Sequence, residues 1–217
     1  MNFDFTPEQD SIRESVRAMM RGFPDQYWLE IDEKHEFPWA FYNEFAKAGF
    51  LGMVIPEEYG GSGLGITEAG LMLYEIAASG AGLNGASAVH MSVFGFNPVI
   101  KHGSEEMRRK YIPPLLSGDL HVCFGVTEPD AGTDTTRIKT FAKREGDTYV
   151  INGRKVWLSK AGESQKVLLL TRTTPLEECK RRTDGMTLFF ADLDRSAVTI
   201  RPIRKMGRHG VASNEVF

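Results

Sequence analysis

Cysteine is scarce in this 217-residue chain, and the two that occur form no pattern. Cys123 and Cys179 have no Cys-x-x-Cys or histidine spacing around them, which speaks against a zinc site or a disulfide framework and fits a reducing compartment, the cytoplasm. An excess of charge is missing too. Twenty-six Lys and Arg against 29 Asp and Glu leave a formal net charge of -3, with the basic residues scattered, so nucleic acid is not an expected partner. No apolar run reaches the roughly 18 residues of a membrane span. Met1 to Gln9 carries Asp4 and Glu8 and lacks the apolar core of a secretory signal, which also argues against a transit peptide. There is no internal repeat and no low-complexity tract. Gly-x-Ser-x-Gly and His-Glu-x-x-His are absent, and His35, His90, His102, His121 and His209 show no paired ligand spacing, so hydrolase and metalloenzyme readings are weak.

What is present is an ordinary globular composition, 41% hydrophobic, whose periodicity changes halfway. Thr6, Pro7 and Gln9 read as a helix start with a capping box, ahead of Ile12, Val16, Met19 and Met20 at helical spacing. A second helix is expected from Pro38 through Phe41, Phe45 and Ala48, ended by Gly49, and Phe50 to Pro56 is a connector. After the Gly60 to Gly65 loop, Thr67 is expected to cap a helix carrying Leu71, Tyr74 and Ile76. Another spans Ala86 to Ile100, and Ser104 opens one more, which Pro113-Pro114 should disrupt. Met53, Met72 and Met91 read as core filler. From about Leu120 the chain turns to β: Thr148 to Ile151 and Arg154 to Leu158 flank Asn152-Gly153, a hairpin signal, followed by Val167 to Thr171, Met186 to Leu193 and Val198 to Ile203. Ser213 to Phe217 reads as a strand just beginning, taken here as a truncation, with a short edge strand as the alternative. The expected fold is α+β and multidomain: a helical domain over 1–119, then a β-barrel or sandwich over 120–217, incomplete at its C-terminal end.

Two segments invite a chemical reading, and one of them carries it. Gly60-Gly61-Ser62-Gly63-Leu64-Gly65 lacks the spacing and context of a phosphate loop, so a flexible loop is the better reading. Phe124-Gly125-Val126-Thr127-Glu128-Pro129-Asp130-Ala131-Gly132-Thr133-Asp134 is an apolar strand running into a turn dense in hydroxyls and backbone donors. Such a segment suits a flavin, whose reduced ring needs fixed N–H and O–H dipoles beside it. Read as local sequence only, a structural turn is the better reading.

The surroundings reverse that judgement. Val126 to Asp134 resembles the Thr-Glu-Pro-x-Ala-Gly-Ser-Asp signature of acyl-CoA dehydrogenases, and Ile151-Asn152-Gly153-Arg154-Lys155-Val156-Trp157-Leu158-Ser159 is similar to that family's second flavin-contact strand. Ile55 to Gly61, Gly103 to Glu106 and Leu116 to Asp119 also look like family phrases, so the resemblance covers essentially the whole chain. It implies FAD as cofactor, with contacts from Phe124, Val126, Thr127, Thr133, Trp157, Leu158 and Ser159. It implies an acyl-CoA substrate, with Thr133 where the family usually has a serine touching the thioester-CoA ligand, and His90, Ser92 and Phe94 matching the region that lines the acyl pocket.

Two departures stand out. Phe124 replaces a frequent tyrosine, and Arg137 stands where the signature asks for a small residue; a solvated loop arginine and a phosphate contact remain open for it. The resemblance further implies an electron-transfer flavoprotein as acceptor and a homo-oligomeric parent. It places the catalytic base in a C-terminal helical bundle beyond these residues, so no glutamate is nominated and the chain alone is expected to be inactive. Two alternatives stay open: a non-catalytic binding or assembly module, and a flavin oxidase or monooxygenase of the same fold.

Overall fold

The computed structural model describes residues 4–217; Met1, Asn2 and Phe3, the start of the stretch read above for targeting signals, lie outside the described residues. The chain forms two compact units. One holds the residues up to Leu120 together with Lys205–Val211, the other His121–Arg204 with Ala212–Phe217. Among the described residues no helix is long and apolar enough to cross a membrane.

The first unit is helical: α1 (Pro7–Met20), α2 (Asp25–Lys34), α3 (Trp39–Lys47), α4 (Ile66–Ile76), α5 (Gly82–His90), α6 (Asn97–His102) and α7 (Glu105–Leu116). The start of α1 is the capping box its sequence spells, with Gln9 N donating to Thr6 Oγ1 at 3.2 Å and Thr6 N to Gln9 Oε1 at 3.0 Å. Helix α2 has no counterpart in the sequence reading. It has no side-chain cap, and Trp28 is its one buried residue, so no apolar stripe announces it. Trp28 packs edge-on against Phe41 with ring centroids 5.0 Å apart, and Phe41 lies 4.5 Å from Phe45, the aromatic centre of the core. Buried Glu75 of α4 takes Arg13 Nε at 2.7 Å and Arg17 Nε at 2.7 Å, fastening α1 to α4.

Three expectations need correction in this unit. Thr67 lies inside α4, not at its cap; Gly65 holds the cap, its N–H donating to Glu68 Oε2 at 3.0 Å. The helix expected over Ala86 to Ile100 begins at Gly82 and is interrupted by a π-helical turn over Met91–Gly95. A second π-helical turn, Ala77–Ala81, joins α4 to α5 at Gly80, whose φ of 98 breaks the helical path. Pro113 and Pro114 do not disrupt α7. The helix runs through them to Leu116 because Ile112 and Leu115 are wholly buried on its inner face, and that packing outweighs two missing N–H donors.

The second unit is built from β1 (Val122–Gly125), β2 (Phe141–Glu145), β3 (Thr148–Asn152), β4 (Lys155–Ser159), β5 (Lys166–Arg172), β6 (Met186–Asp192), β7 (Ile200–Pro202) and β8 (Ser213–Val216). One sheet has β5 at its heart, parallel to β1 and β2 and antiparallel to β6, with β3 antiparallel to β2. The other is β4–β8–β7, all antiparallel.

The hairpin expected at Asn152-Gly153 does not form. Strand β3 pairs with β2 in one sheet and β4 with β8 in the other, so this dipeptide is a crossing between sheets. The tight turn lies earlier: Gly146, with φ 62, closes β2 onto β3 where Glu145 faces Thr148. Gly153 is needed for a different reason, since a Cβ there would collide with the Thr140 side chain.

Candidate functional site

The two segments singled out in the sequence meet inside the β unit. Val156 N of β4 donates to Thr127 O at 2.9 Å, just past the end of β1. What fixes them is a buried carboxylate. Glu128 accepts from Lys139 N at 2.6 Å, Thr140 N at 2.9 Å and Lys155 Nζ at 2.8 Å, while Lys155 Nζ also donates to Val126 O at 2.9 Å. The side chains of Glu128 and Lys155 are 6% and 2% exposed. Burial alone would raise the Glu128 carboxyl, but the bonds from Lys155, Thr140 and Lys139 outweigh it and hold the group below the usual carboxylate range. The turn itself is tight, with Glu128 N on Ala131 O at 2.9 Å and Ala131 N on Glu128 O at 3.1 Å. Sequence reading treated Glu128 as a turn residue and did not single out Lys155. The available signal was a lysine opening an otherwise apolar strand.

This clamp sets the posture of β4. The β4–β8 register shifts between Lys155 and Leu158, and within that bulge Trp157 takes a φ of 65. A bulky residue in left-handed backbone is strained by about 1–3 kcal/mol, and such strain collects at ligand sites. The bulge turns the indole outward, 61% exposed, on a strand whose neighbours Val156 and Leu158 are buried. Phe124 of β1 is exposed, Val126, Thr127 and Ser159 are half-buried, and the Thr127 hydroxyl has no partner among the described residues. Leu158 differs from its expectation. Its side chain is wholly buried in the β core, so only its backbone remains for a ligand, and its carbonyl already accepts from Asn214 Nδ2 at 3.0 Å. A large exposed aromatic face beside an uncommitted hydroxyl fits a flat heteroaromatic ring with a polar edge, which is what a flavin presents.

Beyond the Glu128–Ala131 turn, Thr133 is exposed and Asp134 Oδ1 accepts from Thr136 N at 3.2 Å, opening a short helical turn that ends at exposed Arg137. His90 and Ser92 belong to the helical unit. Ser92 is buried with its hydroxyl 2.9 Å from Tyr42 Oη, and burial pushes the Tyr42 phenol up to about 12. His90 is half-buried with Nδ1 2.9 Å from Ser87 O, and Phe94 is exposed.

Comparison with known proteins places both units in one family. Residues 6–119 match the acyl-CoA dehydrogenase N-terminal domain, and residues 123–217 match the acyl-CoA dehydrogenase middle domain. Acyl-CoA dehydrogenase FadE12 of Mycobacterium tuberculosis (strain ATCC 25618 / H37Rv) is 33% identical over 202 residues, which are 93% of this chain and 51% of FadE12. A glutaryl-coenzyme A dehydrogenase in complex with glutaryl-CoA superposes with a TM-score of 0.90 at 28% identity, over 100% of this chain and 55% of that one. A glutaryl-CoA dehydrogenase from Mycobacterium smegmatis in complex with FADH2 gives a TM-score of 0.83 at 26% identity, over 98% of this chain and 52% of that one. The chain spans about half the length of the curated relatives it matches. With the N-terminal domain model matched first along the sequence and the middle domain model after it, the chain belongs to the acyl-CoA dehydrogenase family.

Proposed function

We propose that this chain supplies the flavin-ring platform and part of the acyl pocket of an enzyme that converts an acyl-CoA thioester to its trans-2-enoyl-CoA, with FAD as cofactor and an electron-transfer flavoprotein as acceptor. The observation that carries this reading is Trp157, held outward on a strained bulge beside the Thr127 segment. FAD, when bound, would supply the hydride-accepting chemistry for the β-hydrogen of the substrate. This chain's residues act around that event. The Trp157 indole covers one part of the ring and excludes water from it, while the Thr127 and Ser159 hydroxyls donate to the polar ring edge, where fixed dipoles favour the charge of the reduced form. Phe124 and Val126 are the proposed contacts from β1, and the Thr133 hydroxyl is the proposed contact to the thioester-CoA ligand. In the helical unit, His90 and Ser92 are the proposed acyl contacts.

The base that removes the α-proton is proposed to lie outside these residues. Buried Glu75 is held by Arg13 and Arg17, and buried Glu128 by Lys155 and two backbone N–H groups. Both carboxyls are lowered despite the opposing effect of burial, whereas a base working near neutrality needs the reverse. The chain by itself is therefore expected not to turn over acyl-CoA, and the longer protein is proposed to be a homo-oligomer.

The test is flavin fluorescence. FAD is titrated into the 217-residue chain and its Trp157→Ala variant, then acyl-CoA is added without oxygen. Saturable quenching that Trp157→Ala abolishes supports the platform. Quenching indifferent to that change, or none in either protein, overturns it, and bleaching by acyl-CoA overturns the absent base.

A further inference from the structure

Lys155 does more at the head of β4 than neutralise Glu128. Its buried Nζ divides between two acceptors, Glu128 Oε1 at 2.8 Å and the carbonyl oxygen of Val126 at 2.9 Å. Glu128 in turn accepts from Lys139 N at 2.6 Å and Thr140 N at 2.9 Å, so its charge is drawn towards that segment while the ammonium keeps a proton for Val126 O. The ion pair is a buried dipole whose positive end rests on the Val126 carbonyl. In a site closed to water such a dipole acts on its neighbours far more strongly than it would in solvent.

The Val126 carbonyl shares its peptide group with the N–H of Thr127. No cis peptide bond occurs among the described residues, and in a trans peptide the C=O and the N–H point in opposite directions. The Thr127 N–H therefore points away from Lys155, with the ammonium behind it. A cation on the carbonyl draws electron density through the amide and makes the N–H both a stronger donor and a stronger acid. Thr127 O is committed, accepting from Val156 N at 2.9 Å, but the half-buried Thr127 offers an N–H and a hydroxyl that have no partner among the described residues. A polarised donor left uncommitted in this way suits a ligand acceptor, and the charge behind it favours one that is negative.

We propose that Lys155 is a positioning residue that acts through the Val126–Thr127 peptide, polarising the Thr127 N–H into a donor for a negatively charged acceptor. That acceptor, which rests on the function proposed above, is the polar edge of the reduced flavin. Lys155 touches neither ring nor substrate in this role; it sets how strongly a neighbouring backbone group favours the reduced ring over the oxidised one.

Amide hydrogen exchange, read by NMR without cofactor, tests the polarisation in the 217-residue chain and in its double variant Lys155→Met with Glu128→Gln, which removes the dipole without leaving a bare buried charge. Base-catalysed exchange puts a transient negative charge on the amide nitrogen, so a cation behind the peptide speeds it. Thr127 is expected to exchange about tenfold more slowly in the double variant. The N–H of Val156, bonded to Thr127 O, exchanges only when that contact opens; a merely structural loosening would quicken both amides. The same two proteins then receive FAD, and the midpoint potential of the bound flavin is expected to fall by about 30 mV in the variant, the two-electron equivalent of a tenfold change. Slower Thr127 exchange with the lowered potential supports the proposal. Slower exchange in a chain that holds no FAD supports the polarised donor and counts against the flavin reading alone. Thr127 exchange that is unchanged or faster overturns the proposal, and slower exchange with an unmoved potential overturns the part of Lys155 in flavin chemistry.

Discussion

Lys155 places its ammonium 2.8 Å from Glu128 Oε1 in a position closed to water, and the same nitrogen holds Val126 O at 2.9 Å. One side chain thereby welds the first flavin-type segment to the second. Lys155→Met leaves Glu128 buried with two backbone donors and no counter-charge, a change expected to cost about 3–5 kcal/mol of stability. The double variant Lys155→Met with Glu128→Gln should recover most of it, because no bare charge remains. Urea denaturation of the three proteins measures both; a loss under ~1 kcal/mol in the single variant would refute the strut.

Acid should act through the same carboxylate. Glu128 is lowered from 4.5 in the folded chain, so its stabilisation is present above about 4.5 and is lost as pH falls through the lower folded value. The unfolding midpoint of the wild type is expected to decline from pH 4.5 downward, and that of Glu128→Gln to decline less over the same window. Parallel curves would assign the acid sensitivity to other groups.

Trp157 offers a separation of stability from binding. Glycine at this position accepts a φ of 65 without penalty, while the exposed indole forfeits little burial when removed. Trp157→Gly is expected to leave thermal stability unchanged or raise it by about 1 kcal/mol, and to eliminate flavin quenching. A fall in melting temperature together with retained quenching would reverse the assignment of the bulge.

Much of this was legible in the residues. The Thr6–Gln9 box at the head of α1 and the succession of helices then strands depend on local chemistry, and sequence carries local chemistry directly. The misses have tertiary causes. Asn152-Gly153 reads as a hairpin because those residues turn easily, yet Gly153 is required by Thr140 pressing against it from elsewhere in the sheet. Pro113 and Pro114 read as a break, and the burial of Ile112 and Leu115 overrides them. At the candidate site, the motif nominates Trp157 but does not disclose the bulge that exposes it, nor the partnership of Glu128 with Lys155, because a side chain's direction is set by pairing with β8 and by a bond spanning 27 positions.

In the helical unit, His209 presents Nδ1 to Asp32 Oδ2 at 3.0 Å and Nε2 to Lys205 O at 2.9 Å, with its ring stacked 4.2 Å from His35. The bond to Lys205 O and then that to Asp32 raise His209 above 6.5, so the stabilisation of the protonated form is complete below 6.5 and is lost as pH rises through the folded value. Amide exchange at Gly207 to Gly210 is expected to quicken with rising pH beyond its intrinsic base catalysis. Asp32→Asn should flatten that excess, and an unchanged excess in this variant would point to another titrating group.

The Lys205–Val211 segment is compact with the helices although β7 and β8, on either side of it in sequence, belong to the β unit. The boundary between these domains is thus drawn in space and crossed three times by the chain. No single cut can separate them: a piece ending before Lys205 leaves β4 without β8, and a piece ending at Leu120 leaves Asp32 without His209. For recombination between relatives, the unit that travels intact is therefore the interleaved pair, and chimaeras joined at the apparent linker near Leu120 inherit a mismatched Asp32–His209 contact unless residues 205–211 are exchanged with the helices they join.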